Sequence, residues 1–166
     1  MKIKRNINII YMDKLLPHQT NHVENLIICI KENNRALDLS DTGMGKTYTS
    51  IALAIKLNLK LFVVCPKSVI NNWYMIIKEF NFSVNNFIVC SYSMLHKHPF
   101  QIANWEIQDI EDYLFVFDEC HICKNIKTKC AQMLLSLSKT QSNILLLSAT
   151  IIDKTHYFMF KCNLRP

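Results

Sequence analysis

The stretch that decides the fold occupies residues 40–47 and reads Ser40-Asp41-Thr42-Gly43-Met44-Gly45-Lys46-Thr47. An alternating apolar run precedes it at residues 35–39, and an apolar pattern with helical spacing follows at residues 51–57. A strand, a glycine-containing turn and a helix in this order form the setting in which a backbone loop binds phosphate. Gly43 and Gly45 are the only glycines of the chain, and without a Cβ their backbone can adopt unusual dihedral angles beside a ligand. We therefore predict a phosphate-binding loop at a helix start, where the helix dipole adds positive charge.

Lys46 and Thr47 end this stretch with side chains suited to such a loop. The amine of Lys46 would reach the outer phosphates, and the hydroxyl of Thr47 would bind Mg²⁺. The strict pattern has glycine at its first position, where this chain has Ser40. The alternative interpretation is a glycine-containing turn that merely precedes a basic helix.

Length and composition bound the class of protein. The chain has 166 residues, half of them hydrophobic, which predicts one domain with a sizeable core rather than a disordered chain. The net charge of +6 is compatible with nucleic acid but does not require it. The sequence has no apolar run of about 18 residues, so no membrane span is expected. Residues 1–6 are too polar for a secretory signal, and seven irregularly spaced cysteines favour reduced thiols in the cytoplasm or nucleus.

A second chemical signal follows the apolar run at residues 113–117, which ends in Asp118 and Glu119. A carboxylate just beyond a buried strand can hold Mg²⁺ directly or through water, and its neighbour can polarise an attacking water. Two acids placed there without a function would cost desolvation free energy. We therefore predict that Asp118 is a metal ligand and Glu119 a general base. The alternative is a strand end with two exposed acids.

Apolar strands alternate with helical patterns along the chain. We predict strands at residues 35–39, 61–65, 86–90, 113–117 and 144–147, and helices at about 15–30, 45–58, 69–80 and 126–138. This alternation predicts a parallel sheet covered by helices on both faces, with right-handed crossovers. In such a sheet the chemistry gathers at the carboxyl ends of the strands, which here are followed by residues 40–47, 66–68, 91–92, 118–121 and 148–150.

Several further side chains at this edge are candidates for binding. The amide of Gln19 can both donate to and accept from an adenine edge, although a solvated first-turn glutamine is the simpler interpretation. Lys67 and Ser68 lie at a predicted helix start, which suits a nucleic-acid phosphate but also an ordinary cap. The hydroxyls of Ser148 and Thr150 could hydrogen-bond near His121 and sense the γ-phosphate.

The order of these motifs resembles the first RecA-like lobe of superfamily-two helicases and translocases, and the Swi/Snf-type branch most of all. The resemblance covers about residues 15–160. It is carried by five segments, which are Leu16-Pro17-His18-Gln19, Asp41 to Thr47, Cys65-Pro66-Lys67-Ser68 with Asn72-Trp73, Asp118-Glu119-Cys120-His121 with Lys124-Asn125, and Ser148-Ala149-Thr150.

The resemblance implies an α/β fold, namely a P-loop NTPase (RecA-like) three-layer sandwich with a mainly parallel sheet and a single lobe. It implies a lead-in at residues 1–14, the lobe at 15–160, and at 161–166 the start of a connection to a second lobe. ATP and Mg²⁺ are the implied cofactors, and nucleic acid is the implied partner, with DNA favoured over RNA. The implied roles are catalysis by Lys46, Asp118 and Glu119; nucleotide binding by Gln19, Asp41, Thr42, Gly43, Met44, Gly45, Lys46 and Thr47; metal binding by Thr47 and Asp118; coupling by His121, Ser148 and Thr150; and nucleic-acid contact by Lys67, Ser68 and Tyr92.

The sequence departs from the family pattern in two ways. Ile151 follows Thr150 where many relatives have proline. The second lobe, which in the family supplies an arginine finger, does not follow in the printed sequence, and such an arginine accelerates related NTPases by about 10³–10⁵. We therefore expect weak ATP binding and poor hydrolysis by this chain alone, and a partner chain that carries the second lobe. The biased composition is typical of an AT-rich genome, such as that of a large DNA virus.

Three functions compete at this point. The first is an ATPase lobe that couples hydrolysis to movement along nucleic acid. The second is a remnant that binds ATP or DNA but does no chemistry, although a remnant has no need of Glu119. The third is a zinc or redox site at Cys120-His121-Ile122-Cys123, with Cys130 nearby, because the C-x-x-C spacing fits a zinc half-site.

Overall fold

The computed structural model describes residues 12–97 and 110–149 of the chain. Within them, five strands are formed by β1 (Arg35–Asp38), β2 (Lys60–Cys65), β3 (Phe87–Ser91), β4 (Tyr113–Asp118) and β5 (Asn143–Leu147). The α-helices are α1 (Pro17–Asn33), α2 (Lys46–Leu57), α3 (Ile70–Glu79), α4 (Tyr92–Lys97) and α5 (Lys129–Leu137).

The strands form one sheet in the order β1-β5-β4-β2-β3, and every neighbouring pair is parallel. The central strands β2 and β4 are apolar almost throughout because both of their faces are covered, which is why their sequences do not alternate. The predicted parallel sheet is thus confirmed. Because the strands are parallel, the carboxyl ends of all five lie at the same edge of the sheet.

Successive strand residues point to opposite faces and pack into two separate cores. On one face Val63, Val116 and Leu145 pack with Trp73 and with apolar residues of α1 and α2. On the other face Phe62, Phe115 and Ile144 pack with α4 and α5. The molecule is therefore helix, sheet and helix in three layers, as the resemblance implied.

One predicted helix boundary is wrong. The helix expected at 126–138 begins at Lys129, because the hydroxyl of Thr128 accepts a hydrogen bond from the backbone N–H of Ala131 and caps it there. Residues Cys120–Lys124 form a separate 3₁₀ turn, and Ile126 lies exposed between the two. The other boundaries agree to within a few residues.

Some predictions fall on residues outside the described ranges. They concern residues 1–11 of the lead-in, residues 98–109 of the connecting segment, Thr150 and the tail from residue 151. The proposed domain boundaries stay predictions. Among the described helices, none combines the length and the apolar character that crossing a membrane requires.

Candidate functional site

The phosphate-binding loop lies between β1 and α2, and both of its glycines have positive φ. Gly43 has φ +85° and Gly45 has φ +84°, a region that residues with a Cβ rarely adopt. A Cβ on Gly43 would meet no atom within 4 Å, whereas a Cβ on Gly45 would lie 2.2 Å from Nε2 of Gln19. Glycine at position 45 is therefore favoured by its backbone conformation, and a Cβ there would also displace the end of the Gln19 side chain.

Lys46 is the first residue of α2, and its side chain folds back over the loop. Its Nζ donates to the carbonyl oxygens of Ser40 at 2.6 Å and of Asp41 at 3.0 Å. The hydroxyl of Ser50 donates to the Lys46 carbonyl at 2.7 Å. The ammonium group is thus held at the loop, where a bound phosphate would compete with the two carbonyl oxygens.

Gln19 connects α1 to the loop. Its side chain is buried, its Nε2 donates to the Met44 carbonyl at 3.0 Å, and its Oε1 accepts from the Leu16 N–H at 2.9 Å. The alternative of a solvated first-turn glutamine is therefore wrong. The contact with adenine stays a prediction, and an adenine edge would have to share an amide that already has two partners.

Asp38, the last residue of β1, stabilises the phosphate-binding loop. The sequence analysis did not predict this role. The Asp38 side chain is fully buried, its Oδ1 accepts from the Ser40 N–H at 2.9 Å, and its Oδ2 lies 3.0 Å from Nε2 of His22. Its carbonyl accepts from the N–H of Ser148 at 3.1 Å. The available signal was an acid inside the apolar run at 35–39, because a buried carboxylate needs hydrogen-bond partners.

Asp118 ends β4 and is held by two aromatic residues from neighbouring elements. Nε1 of Trp73 on α3 donates to Oδ2 of Asp118 at 2.9 Å, and the hydroxyl of Tyr92 on α4 donates to the Asp118 carbonyl at 2.8 Å. Burial raises the pKa of Asp118, the Trp73 hydrogen bond opposes this, and the neighbouring charge of Glu119 adds to it. The carboxyl group therefore lies at the inner wall of the site in a fixed orientation.

Glu119 follows with a left-handed backbone, at φ +55° and ψ +52°. Such a conformation costs a non-glycine residue about 1–3 kcal/mol and is most often found at functional sites. One carboxylate oxygen of Glu119 lies 3.1 Å from Nδ1 of His121, and both side chains are about a third exposed. The turn thus aims the Glu119 carboxylate away from the core and beside His121.

A cavity of about 420 Å³ brings the two motifs together. It is lined by Thr42, Gly43, Gly45, Lys46, Thr47, Tyr48, Asn72, Met75, Ile76, Glu79, Asp118 and Glu119. The hydroxyl and carboxylate oxygens of Thr47 and Asp118 are the donors that Mg²⁺ prefers, and open space at Gly43 leaves room for phosphate, so these residues fit both groups. Of the α3 residues of this wall, Asn72 was expected at this edge of the sheet, whereas Met75, Ile76 and Glu79 were not predicted. A larger cavity of about 500 Å³ lies at the opposite edge of the strands, near Lys60 and Asp112, and contains none of these residues.

The remaining predicted residues are distributed unevenly. Lys67 and Ser68 are exposed in the 3₁₀ turn Lys67–Val69, which leads into α3. Tyr92 is only 6% exposed, and its hydroxyl donates to the backbone carbonyl of Asp118, so its side chain supports the end of β4; its contact with nucleic acid stays a prediction. Ser148 is buried beside Asp38. Thr150 lies outside the described residues.

The cysteines near the acid pair are buried rather than arranged around an ion. Burial raises the pKa of the Cys120 thiol to about 12, and a hydrogen bond with Cys130 together with burial raises the pKa of Cys123. In the part of the chain that the structure describes, no group of three or more His, Cys, Asp or Glu side chains could hold a metal ion. The C-x-x-C half-site therefore gains no further ligand there.

Comparisons with known proteins agree with this geometry. The family described as type III restriction enzyme, res subunit, matches residues 12–153. A protein of Acanthamoeba polyphaga mimivirus, named as a candidate ATP-dependent RNA helicase, is 34% identical, with 84% of this chain and 31% of the relative covered. The SWI/SNF-related matrix-associated actin-dependent regulator of chromatin subfamily A-like protein 1 homolog of Caenorhabditis elegans is 24% identical, with 84% of this chain and 22% of the relative covered.

A solved structure shows the same fold. The Sulfolobus solfataricus SWI2/SNF2 ATPase core in complex with dsDNA superposes with a TM-score of 0.65 at 21% identity, covering 88% of this chain and 34% of that one. The chain thus spans about a third of the solved chain and of the viral relative. The chain belongs to the type III restriction enzyme res subunit family, is similar in sequence to SWI/SNF-related proteins, and has the fold of one RecA-like lobe of the SWI2/SNF2 ATPase core.

Proposed function

We propose that this chain is the ATP-binding lobe of a nucleic-acid-dependent ATPase that moves along DNA. One observation carries the proposal: the loop after β1 and the acid pair after β4, which are 70 or more residues apart in the sequence (Lys46 to Asp118), line one cavity. A phosphate-binding loop and a metal-binding acid at adjoining strand ends are the parts that phosphoanhydride hydrolysis requires.

Four side chains of the cavity have roles in this proposal. Lys46 exchanges its carbonyl partners for the outer phosphates of ATP, and Thr47 and Asp118 hold Mg²⁺, which neutralises phosphate charge when bound. Glu119 accepts a proton from the attacking water as the new oxygen–phosphorus bond forms. The bond to the bridging oxygen breaks, leaving ADP and inorganic phosphate. The exposed position of Glu119 beside His121 leaves it accessible to water.

Related NTPases reach their full rate with an arginine at the transition state, and the described residues place no arginine at the cavity. Among them the only arginine is Arg35, at the amino-terminal end of β1 and therefore at the edge of the sheet away from the cavity. We propose that a second RecA-like lobe supplies the arginine and the other wall of the ATP site, either from the same protein or from a partner chain. The limited share of its relatives that this chain covers supports that proposal.

Nucleic acid is the proposed partner along which the ATPase moves. Lys67 and Ser68, just before α3, would contact its phosphate backbone. The solved relative is in complex with double-stranded DNA, whereas the viral relative is named for RNA. We favour DNA, because the Swi/Snf-type matches are shared by sequence and structure. The cytoplasm or nucleus, including that of a virus-infected cell, is the expected location.

The position of Arg35 away from the cavity also favours a second function. Without an arginine at the transition state, the lobe would bind ATP or DNA and do no chemistry by itself. Lys46, Asp118 and Glu119 would then serve binding alone.

ATP hydrolysis and ATP binding, each with and without double-stranded DNA, separate these functions. The parent is compared with Lys46→Ala, Glu119→Gln and, as a remote surface control, Lys139→Ala. DNA-stimulated turnover that is lost in the first two variants would establish the catalytic lobe. ATP binding without turnover, abolished only by Lys46→Ala, would establish the binding module. Equal ATP binding by parent and Lys46→Ala would refute both.

A further inference from the structure

Trp73 is the largest fully buried side chain in the described part of the chain, and its only polar atom faces the acid pair. Its ring belongs to the core between α3, which carries it, and the sheet with α1 and α2, as an apolar side chain would. Its Nε1, however, donates a 2.9 Å hydrogen bond to Oδ2 of Asp118. A phenylalanine would fill most of the same space without that donor, so the indole nitrogen adds something that packing does not need.

Asp118 is restrained by three hydrogen bonds, two to its carboxyl group and one to its backbone carbonyl. Trp73 holds Oδ2, the backbone N–H of Glu119 also bonds the carboxyl group, and the Tyr92 hydroxyl holds the Asp118 carbonyl. Together these bonds fix the position of the residue and the rotation of its carboxyl plane. A hydrogen bond to one oxygen leaves the other with a defined direction at the cavity wall, which Asp118 lines.

We propose that Trp73 is a positioning residue that orients the Asp118 carboxylate for Mg²⁺. The inference rests on the proposed function, in which Asp118 is a metal ligand. Hydrogen-bond partners that orient a metal ligand typically account for about 10–100-fold in metal affinity or activity. Trp73 therefore acts through Asp118 and does not itself contact nucleotide.

The test removes the indole N–H with the smallest change in shape. A Trp105→Phe background leaves Trp73 as the only tryptophan of the chain. Trp73 is then replaced by 3-benzothienylalanine, which has sulfur in place of the N–H, and separately by phenylalanine in Trp73→Phe. Ile77→Val is the packing control, because Ile77 is buried on the same helix and in the same core. Urea unfolding identifies conditions in which each variant is folded.

The primary measurement is the Mg²⁺ concentration needed for binding of a fluorescent ATP analogue, followed by anisotropy. We expect this concentration to rise about 10–100-fold in both Trp73 variants and to change little in Ile77→Val, with Mg²⁺-independent binding unaffected. A benzothienyl variant that matches the parent in Mg²⁺ requirement, while Lys46→Ala loses binding, would overturn the inference and leave the proposed function intact. A parent without Mg²⁺-dependent nucleotide binding would overturn both.

Trp73 also provides a spectroscopic readout that is independent of turnover. In the Trp105→Phe background, Mg²⁺ added to the ATP-bound chain should change the emission of Trp73, because its hydrogen-bond partner acquires a cation. Asp118→Asn should abolish this response. An identical response in Asp118→Asn would contradict the proposed link between the indole and the metal ligand.

Discussion

Nε2 of Gln19 donates a 3.0 Å hydrogen bond to the carbonyl of Met44, and the two residues are 25 positions apart in the sequence. The first turn of α1 is thereby attached to the phosphate-binding loop. The same contact places the Gln19 amide where a Cβ on Gly45 would lie. The glutamine and the second glycine therefore form one structural unit, although sequence motifs treat them separately.

The two loop glycines should differ in their tolerance of alanine. Gly43→Ala introduces only backbone strain of about 1–2 kcal/mol, because space at its Cβ position is open. Gly45→Ala has the same strain and also collides with Gln19. Urea unfolding should therefore show a larger loss of stability for Gly45→Ala.

The excess loss should disappear in a Gln19→Ala background, where the colliding amide is absent. A double-mutant cycle measures this coupling directly. Equal costs for the two glycine variants in the parent, or an excess cost of Gly45→Ala that persists in the Gln19→Ala background, would contradict the contact.

Tyr92→Phe tests whether this side chain is structural or binds nucleic acid. The change leaves the Asp118 carbonyl without its hydroxyl donor in a buried position, which should lower the free energy of unfolding by about 1–3 kcal/mol. Affinity for double-stranded DNA, measured by anisotropy on the folded variant, should stay unchanged. A variant of parental stability with weakened DNA binding would restore the original interpretation of Tyr92.

Lys67→Ala should weaken DNA binding equally for unrelated sequences. Phosphate contacts carry no sequence information, and removing one should reduce the slope of log affinity against log salt by about 1. Anisotropy over a series of salt concentrations gives that slope. Lys139→Ala is the matched control, because Lys139 is equally exposed but lies before β5, at the opposite edge of the sheet. Identical slopes for the two variants would remove Lys67 from the proposed interface.

The buried Cys90 thiol should make the protein less stable at alkaline pH. Burial raises its pKa from 9.0 to about 12, so between these values the folded state retains a proton that the unfolded state has lost. Because the folded state then binds more protons, this group's stabilisation is complete below pH 9 and decreases as pH rises toward 12.

Cys90→Ala removes this contribution. The slope of unfolding free energy against pH in that window should become shallower by about 1.4 kcal/mol per pH unit. Urea titrations of both proteins across the window measure the difference. Superimposable pH profiles would show that Cys90 is not the titrating group.

The sequence by itself determined the layered architecture and the two chemical motifs. Runs such as Leu61–Cys65 are apolar at every position, which only a strand covered on both faces can accommodate, so their order along the chain predicts a parallel sheet. The glycine turn and the acid pair are local, because the backbone freedom of Gly45 and the position of Asp118 after a strand are properties of neighbouring residues. That is why they could be predicted without coordinates.

Only the tertiary structure decided what surrounds those motifs. The contacts of Trp73 and Tyr92 with Asp118, and of Gln19 with Met44, join residues 25 to 45 positions apart. Sequence pattern assigns a buried tryptophan to the core and a tyrosine after a strand to the loop edge. These hydrogen-bond partners depend on where helices α1, α3 and α4 pack on the sheet. That placement depends on side-chain packing across the whole domain rather than on local periodicity.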